Sequence, residues 1–403
     1  MGDVRSTWPA AVGEANSRNI STRRLLTDQQ EVRHEDFRAF ATLNVHPFAG
    51  QWDREQRIPD SVLSLLAKSG YLGCTLPRDY GGQGWDTVTF GLLNEALGRG
   101  SSALTGVLTV QAMVSMALLK WGTKEQKGKW LPPLAKGEII GAFALTEPDA
   151  GSDIQSLATA FTPEGDHFVL NGNKKWISCA QIAAVFLVFG KLEQRSVACL
   201  VPRDSPGLTV EPIHDLMGFR AAGLAEIHFN DVEVSSANFV GKPGFALSHV
   251  APVGLHYGRI STACSALGLL RGCFEESIAH AATRKVGDRT VGDIGMIRSL
   301  IARMGTDLEA GSFLCHNACS AEDDRLPEAF QNTLMAKYFT SRAAVRAASD
   351  AVQIRGASGC HGSSPVSRYY RDAKIMEIIE GTTQIHEDIL GKIFVDQAGG
   401  PGK

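Results

Sequence analysis

The sequence predicts an α+β protein built of three successive parts, helical, then β, then helical. Three observations carry that prediction. Long segments with apolar residues at helical spacing occupy both ends of the chain. Between about residues 141 and 246 they give way to short apolar runs bounded by turn formers. The 403 residues, 44% of them hydrophobic, supply enough core for two or three compact domains.

Residues 1–25 are polar and without period, which predicts a loosely ordered tail. An N-terminal helical domain is expected over 26–140. Within it "SVLSLLAKSG" has helical spacing with Gly70 as its stop signal. "ALTGVLTVQAMVSMALLK" is apolar on most sides, as a buried helix is. "LPRDYGGQGWD" between them reads as a glycine-rich loop. Residues 141–246 predict a β-barrel-like middle domain. There "HFVLNGNKKWIS" reads as a hairpin about Asn171-Gly172, and "AAVFLVFG" and "VACLVP" as strands. In "AEIHFNDVEV", Ala225, Ile227 and Phe229 alternate with polar neighbours, which predicts a strand with one wet face. After "GKPGF" the helical pattern returns, and residues 247–395 predict a helical bundle, with "DQAGGPGK" as a frayed end.

A formal net charge of -3, with lysines and arginines spread along the chain, gives no reason to expect nucleic acid or an anionic membrane as partner. No uninterrupted apolar run approaches about 18 residues, and the N-terminus lacks a signal-peptide core, so no membrane association and a cytoplasmic location are expected. The eight cysteines form no CxxC pair. Cys315 and Cys319 flank His316, but the stretch reads as helix and a second ligand pair is missing. Buried free thiols and no metal are therefore predicted. No GxSxG, GxxxxGK[ST] or HExxH motif is present, and no GxGxxG follows a strand. Any nucleotide cofactor must be held in another way.

Three segments carry chemistry. "AFALTEPDAGSDIQS" (142–156) joins an apolar stretch to Thr146 and to Gly151-Ser152-Asp153. It is either a capped interdomain loop or a loop offering hydroxyls and free N–H groups to a ring edge or phosphate. In "KKWIS", Trp176 and Ser178 share one side of a strand, either as core packing or as an apolar face beside a hydroxyl. "DAKIMEIIEGTTQI" (372–385) places Glu380 at the end of the apolar run Ile375, Met376, Ile378 and Ile379, with Gly381 next.

In this order, "LPRDYGGQGWD", "ALTEPDAGSD", "GNKKWIS", "GFRAAGLAEIHFNDVEV", "QIRGASG" and "YYRDAKIMEIIEGTTQI" resemble the acyl-CoA dehydrogenase family of flavoproteins, from about residue 30 to 395. The resemblance implies a C-terminal four-helix bundle and FAD held by the β domain and the C-terminal helices, in a homodimer or homotetramer. It implies that Phe143, Leu145 and Thr146 line the flavin ring and that Ser152 approaches a pyrophosphate and the substrate. Trp176 would cover one flavin face, with Ser178 near the ring nitrogen N5. Arg284, Gln353 and Gly356 match positions that clasp the FAD of a neighbouring subunit, and Thr382 and Gln384 match further FAD contacts. Glu380 matches the catalytic base that removes a proton α to a thioester carbonyl, the β hydride passing to N5. Arg259 and Gly381 match substrate-side positions. The implied partners are an acyl thioester on coenzyme A or acyl carrier protein and an electron-transfer flavoprotein or other acceptor.

The same resemblance explains the carboxylate in an apolar run. A solvated Glu, with a pKa of about 4.3, is a poor base for so weak an acid, and apolar surroundings raise that value. The N–H after the base would polarise the thioester oxygen, and Gly381 leaves room for the substrate. Glu377 is the rival carboxylate, expected to face solvent or an arginine. Some relatives carry the base beside the residue matching Arg259, but "HYGRIS" offers no carboxylate there.

The chain departs from the family pattern at Gly287-Asp288, where Phe-Gly is usual, at Gly295 in place of Gln, and at Ala357 in place of the second Gly of Gln-x-x-Gly-Gly. His256 replaces an Asp that helps hold coenzyme A. "RAAGLAEIHF", "YGRISTACSALGLLRGC" and "DAKIMEIIEG" look most like the acyl-carrier-protein dehydrogenases of polyketide extender-unit pathways. An α-hydroxyacyl substrate would then be oxidised at its CH–OH carbon. An oxidase, whose reduced flavin reacts with oxygen, and a non-catalytic flavin-binding regulatory or scaffold protein are the alternatives.

Overall fold

The computed structural model describes residues 24–399; most of the predicted tail (1–23) and residues 400–403 lie outside the described residues. Helices come first: α1 (Asp28–Asn44), α2 (Ala49–Glu55), α3 (Asp60–Lys68), α4 (Thr87–Gly100), α5 (Ser102–Trp121) and α6 (Lys124–Lys136). Strands follow as β1 (Gly141–Ala144), β2 (Ala160–Glu164), β3 (His167–Ile177), β4 (Val185–Leu192), β5 (Arg195–Pro202), β6 (Leu208–Pro212) and β7 (Ala225–Val234). The chain then returns to helix as α7 (Ala251–Thr283), α8 (Gly295–Asp323), α9 (Ala329–Arg355), α10 (Pro365–Met376) and α11 (Thr383–Ala398). A two-stranded ribbon, β8 (Lys285–Val286) and β9 (Arg289–Thr290), lies between α7 and α8. Asp396–Ala398, expected to fray, close α11 instead.

Two compact units result. Among the described residues, one takes those up to Asp53, Thr87–Ser102 and those from Thr262; the other takes Arg54–Asp86 and Ala103–Ser261. In the second unit the strands form one sheet in the order β1-β4-β2-β3-β7-β6, with β5 on β4. Alternate residues of these strands, among them Ala142, Phe161, Leu170, Phe186, Val188, Cys199, Ile227 and Phe229, make its apolar core. The one face of β7 predicted to be wet is so: buried and less buried residues alternate from Ala225 to Phe229. Helix α5 is long and apolar enough to cross a membrane, yet 89% of its most apolar stretch is buried inside the fold, as in a core helix.

The expected hairpin at Asn171-Gly172 is wrong. β3 runs straight through these residues, and the turn comes earlier, where Gly165 takes φ +61° between β2 and β3. Asn171 ties the strand to β7 by donating to Asp231 at 2.9 Å and accepting from its backbone N–H. Gly172, at φ +146°, marks a register shift between the two strands. A Cβ there would stand 2.7 Å from the Thr159 hydroxyl, so glycine serves close packing at this point and not a turn.

In the first unit, long helices pack through small residues and buried ion pairs. Arg99 on α4 meets Glu275 on α7 at 2.5 Å, Arg271 on α7 meets Glu95 on α4 at 2.5 Å, and Arg355 on α9 pairs with Glu276 on α7. Gly268 on α7 lets α4 approach: an added Cβ would lie 2.1 Å from the Glu95 carbonyl oxygen and 2.8 Å from the Arg99 nitrogen. Backbone atoms cannot step aside, so Gly268→Ala is expected to cost about 3 kcal/mol by overpacking. Gly128→Ala, in an exposed turn of α6 with nothing within 4 Å, should instead add about 0.5–1 kcal/mol. Thermal midpoints moving in opposite directions check both.

Candidate active site

The second unit holds the "TEPDAGSDIQS" loop and the tryptophan strand together through a buried lysine. Lys174, on β3 and fully buried, donates from Nζ to the Leu145 carbonyl at 2.9 Å and to Glu147 Oε1 at 2.7 Å. The Glu147 carboxylate also accepts the N–H groups of Ala158 (2.6 Å) and Thr159 (3.0 Å), so one side chain closes both ends of the loop 147–159. The Lys175 N–H adds a bond to the Thr146 carbonyl at 3.0 Å. Burial pushes the Lys174 ammonium down to about 8 against the pull of Glu147. Burial works the other way on Glu147, and the Ala158 N–H and the Lys174 ammonium outweigh it, so the carboxyl sits below its usual range. The sequence hinted at this pair only through the doubled lysine of "KKWIS".

The expected residues lie before this loop, on it, and along and just after β3. Phe143, on β1, is in contact with the Phe189 ring (centroids 4.7 Å apart), and Phe143 and Leu145 are buried while Thr146 is half-buried. Ser152 is exposed on the loop. Trp176 leaves β3 at φ +61° and keeps 50% of its surface open, with the Lys175 Nζ 5.5 Å from its ring centroid. A large, half-exposed aromatic at positive φ is costly on both counts, and such positions cluster at ligand sites. Ser178, two residues on, is half-buried. Arg259 lies in this same unit, half-buried on α7.

The first unit carries Glu380 in the turn between α10 and α11. Glu380 is half-buried, its Oε2 is screened from water, and its backbone sits at φ +56°, followed by Gly381 at φ +99°. The left-handed Glu costs about 1–3 kcal/mol and persists only where its surroundings over-determine it. Here they do. Fully buried Lys337 on α9 donates to the Gly381 carbonyl at 2.7 Å, and His386 Nε2 stands 3.3 Å from the Glu380 carbonyl. The Thr383 N–H reaches back to the Glu377 carbonyl at 3.0 Å, and Thr382 caps α11 by accepting from the Ile385 N–H. The apolar run before the base is less buried than its composition suggested. Met376, the last residue of α10, is 1% exposed, whereas Ile378, in the turn past the helix end, is 50% exposed. Glu377 is held by Lys374 at 2.7 Å rather than by solvent or an arginine.

Beside this turn, Thr382, Gln384, Arg342, Lys374, Glu377 and Ile378 contribute to an open cavity of about 500 Å³. Arg284, Gln353 and Gly356 do not line it. Gln353 and Gly356 are exposed at the end of α9, and Arg284 is exposed just after α7. Cys264, Cys315 and Cys319 are buried free thiols, and among the described residues no group of three or more His, Cys, Asp or Glu is placed to hold a metal.

The chain matches the acyl-CoA dehydrogenase N-terminal domain over residues 27–138, the middle domain over 142–232 and the C-terminal domain over 248–394. The chain belongs to the acyl-CoA dehydrogenase family. It is 31% identical to glutaryl-CoA dehydrogenase of Desulfococcus multivorans over 93% of this chain and 97% of the relative. Among solved structures it resembles a Mycobacterium smegmatis glutaryl-CoA dehydrogenase in complex with FADH2, at TM-score 0.89 and 27% identity. That match covers 93% of this chain and 97% of the other. It also resembles FkbI, described for biosynthesis of a methoxymalonyl polyketide extender unit, at TM-score 0.82 and 30% identity, over 90% and 99% of the two chains.

The dehydrogenase is thus an FAD-dependent oxidoreductase. Its residues fit the cofactor: Trp176 keeps half of its surface open, and a Cβ on Gly151 beside Ser152 would meet no atom within 4 Å, leaving room for a bulky polar group.

Proposed function

We propose that this dehydrogenase oxidises an acyl thioester with Glu380 as the base that takes the α proton. The observation that carries the reading is the strained, doubly held turn that aims a water-screened carboxylate oxygen. Screening from water lowers the solvation of the carboxylate and strengthens it as a base. The Gly381 N–H is offered to the thioester oxygen, where negative charge develops as the α proton leaves. Gly381 carries no side chain to block that approach. Bound FAD supplies the two-electron acceptor for the β hydride. Phe143, Leu145, Thr146, Trp176 and Ser178 hold and orient its ring, Ser152 its pyrophosphate, and Thr382 and Gln384 further parts. Arg284, Gln353 and Gly356 are assigned to the FAD of a neighbouring subunit in a homodimer or homotetramer. Arg259 is assigned to the substrate side.

The thioester is proposed to ride on an acyl carrier protein. His256 stands where an Asp would help to hold coenzyme A, and a carrier protein presents only the phosphopantetheine arm. The likeness to FkbI points the same way. If the acyl group bears an α-hydroxyl, Glu380 would instead take the hydroxyl proton and bound FAD would accept the hydride of the α carbon, leaving a ketone there. An electron-transfer flavoprotein is the proposed acceptor. Anaerobic mixing of the purified protein with one acyl group, presented on coenzyme A and on carrier protein, tests the whole reading. Bleaching of the flavin absorbance by the carrier-linked form, faster than by the coenzyme A form, is expected. Equal rates would return the substrate to coenzyme A, oxygen consumption in a parallel aerobic turnover would make the enzyme an oxidase, and no bleaching by any member of a wider thioester panel would make it a scaffold.

A further inference from the structure

We propose that Lys337 is a positioning residue that aims the Glu380 carboxylate, an inference that rests on Glu380 being the base. Lys337 is placed unusually for a lysine. It lies on α9 among Ala336, Thr340, Ser341, Ala343 and Ala344, all buried, and is itself 0% exposed. An ammonium in such surroundings is strongly disfavoured unless its protons are bound. Its Nζ donates to the Gly381 carbonyl at 2.7 Å, a short, charge-assisted bond to a main-chain oxygen one residue past the base.

That bond acts on a turn that depends on support. Glu380 (φ +56°) and Gly381 (φ +99°) are consecutive left-handed residues, and only the second is a glycine. If Glu380 relaxed to an ordinary negative φ, its Cα–Cβ bond would swing away and take the carboxylate with it. Lys337 opposes that relaxation by fixing the carbonyl after the pair, while His386 fixes the one between them. A carbonyl oxygen only accepts, so Nε2 of His386 is the donor in its 3.3 Å contact with Glu380. That contact polarises the 380–381 peptide, whose N–H is the one offered to the thioester oxygen. A Cβ on Gly381 would stand 3.0 Å from His386 Nε2, which ties the glycine to the same arrangement. Lys337 therefore acts on the base through the backbone and touches neither substrate nor cofactor.

Lys337→Met removes the donor and keeps an unbranched apolar stem; Lys337→Gln restores a donor of shorter reach. At saturating thioester, the rate of flavin reduction is expected to fall about 10–100-fold in Lys337→Met and less in Lys337→Gln. KM should change less than about threefold, and FAD content should remain at the wild-type level. The decisive measurement is a double-mutant cycle with Glu380→Gln. If Lys337 works through the carboxylate, its removal costs little more once the carboxylate is gone. An additive cycle, an unchanged rate in Lys337→Met, or a loss of rate matched by an equal loss of FAD in both Lys337 variants overturns the proposal. A wild-type rate in Glu380→Gln alone would instead remove the base assignment itself, which keeps the two failures apart.

Discussion

Glu380→Gln is expected to bind FAD as the wild type does and to slow anaerobic flavin reduction by an acyl thioester about 10²–10⁴-fold, the range a positioned general base contributes. The substitution keeps the size and planarity of the side chain, so the turn held by Lys337 and His386 has no reason to move. What it removes is the lone pair able to accept the α proton, since an amide is not a base at working pH. Stopped-flow absorbance at the flavin band reads the rate, and the same spectrum before mixing reads FAD content. Colourless protein would mean that the substitution had damaged cofactor binding. A near-normal rate with full colour would move the base elsewhere. Glu377 is badly placed to inherit the role, because its carboxylate is already engaged by Lys374 at 2.7 Å.

Lys174→Met is expected to cost about 3–5 kcal/mol of stability, the penalty for removing one partner of a buried ion pair. The methionine fills the stem of the lysine but leaves the Glu147 carboxylate, 6% exposed, without its cation, and leaves the Leu145 carbonyl without a donor. The Glu147 carboxylate still accepts the Ala158 and Thr159 N–H groups, but its tie to β3 through Lys174 is lost. Chemical denaturation at neutral pH measures the loss, and FAD should leave the variant faster. Replacing both partners, Glu147→Leu with Lys174→Met, should recover much of it, because no buried charge is then unpaired.

A pH series separates the two charges of the pair. Lys174 titrates near 8 in the folded chain and near 10.5 in the unfolded one, so between those values the unfolded state binds the extra proton. Stability owed to this group therefore rises as pH climbs from about 8 to 10.5, and the gap between wild type and Lys174→Met should widen over that window. Glu147 behaves oppositely. Its folded pKa is lowered, so its contribution is present above its unfolded pKa and fades as pH falls through the folded one. A gap that narrows above pH 8 would show that the lysine is not held as described.

Much of the site was legible because its residues are contiguous. "DAKIMEIIEGTTQI" keeps Glu380, Gly381 and Thr382 in one turn with Gln384 at the start of α11, and "KKWIS" keeps Trp176, near the end of β3, two residues from Ser178 in the turn that follows. The Asn171-Gly172 pair misled because a dipeptide that suits a tight turn also suits a bulge, and only the neighbouring Thr159 and Asp231 decide between them. The isoleucines around Glu380 misled differently: residues past a helix end lose the helical register, and Ile378 turns outward as a result. Lys337 and Glu147 carry no local signal at all. Each draws its role from a partner 44 or 27 residues away, Gly381 and Lys174 respectively.

By itself the sequence determined the succession of helices and strands, the family, and the carboxylate proposed as the base, because periodicity and short-range motifs are local properties of the chain. The tertiary structure alone decided what holds that carboxylate and the cofactor loop in place. Two buried lysines, Lys337 and Lys174, have meaning only through the carbonyls and the carboxylate they reach. A buried ammonium is tolerable solely where folding brings acceptors to it, and such acceptors cannot be read along the chain.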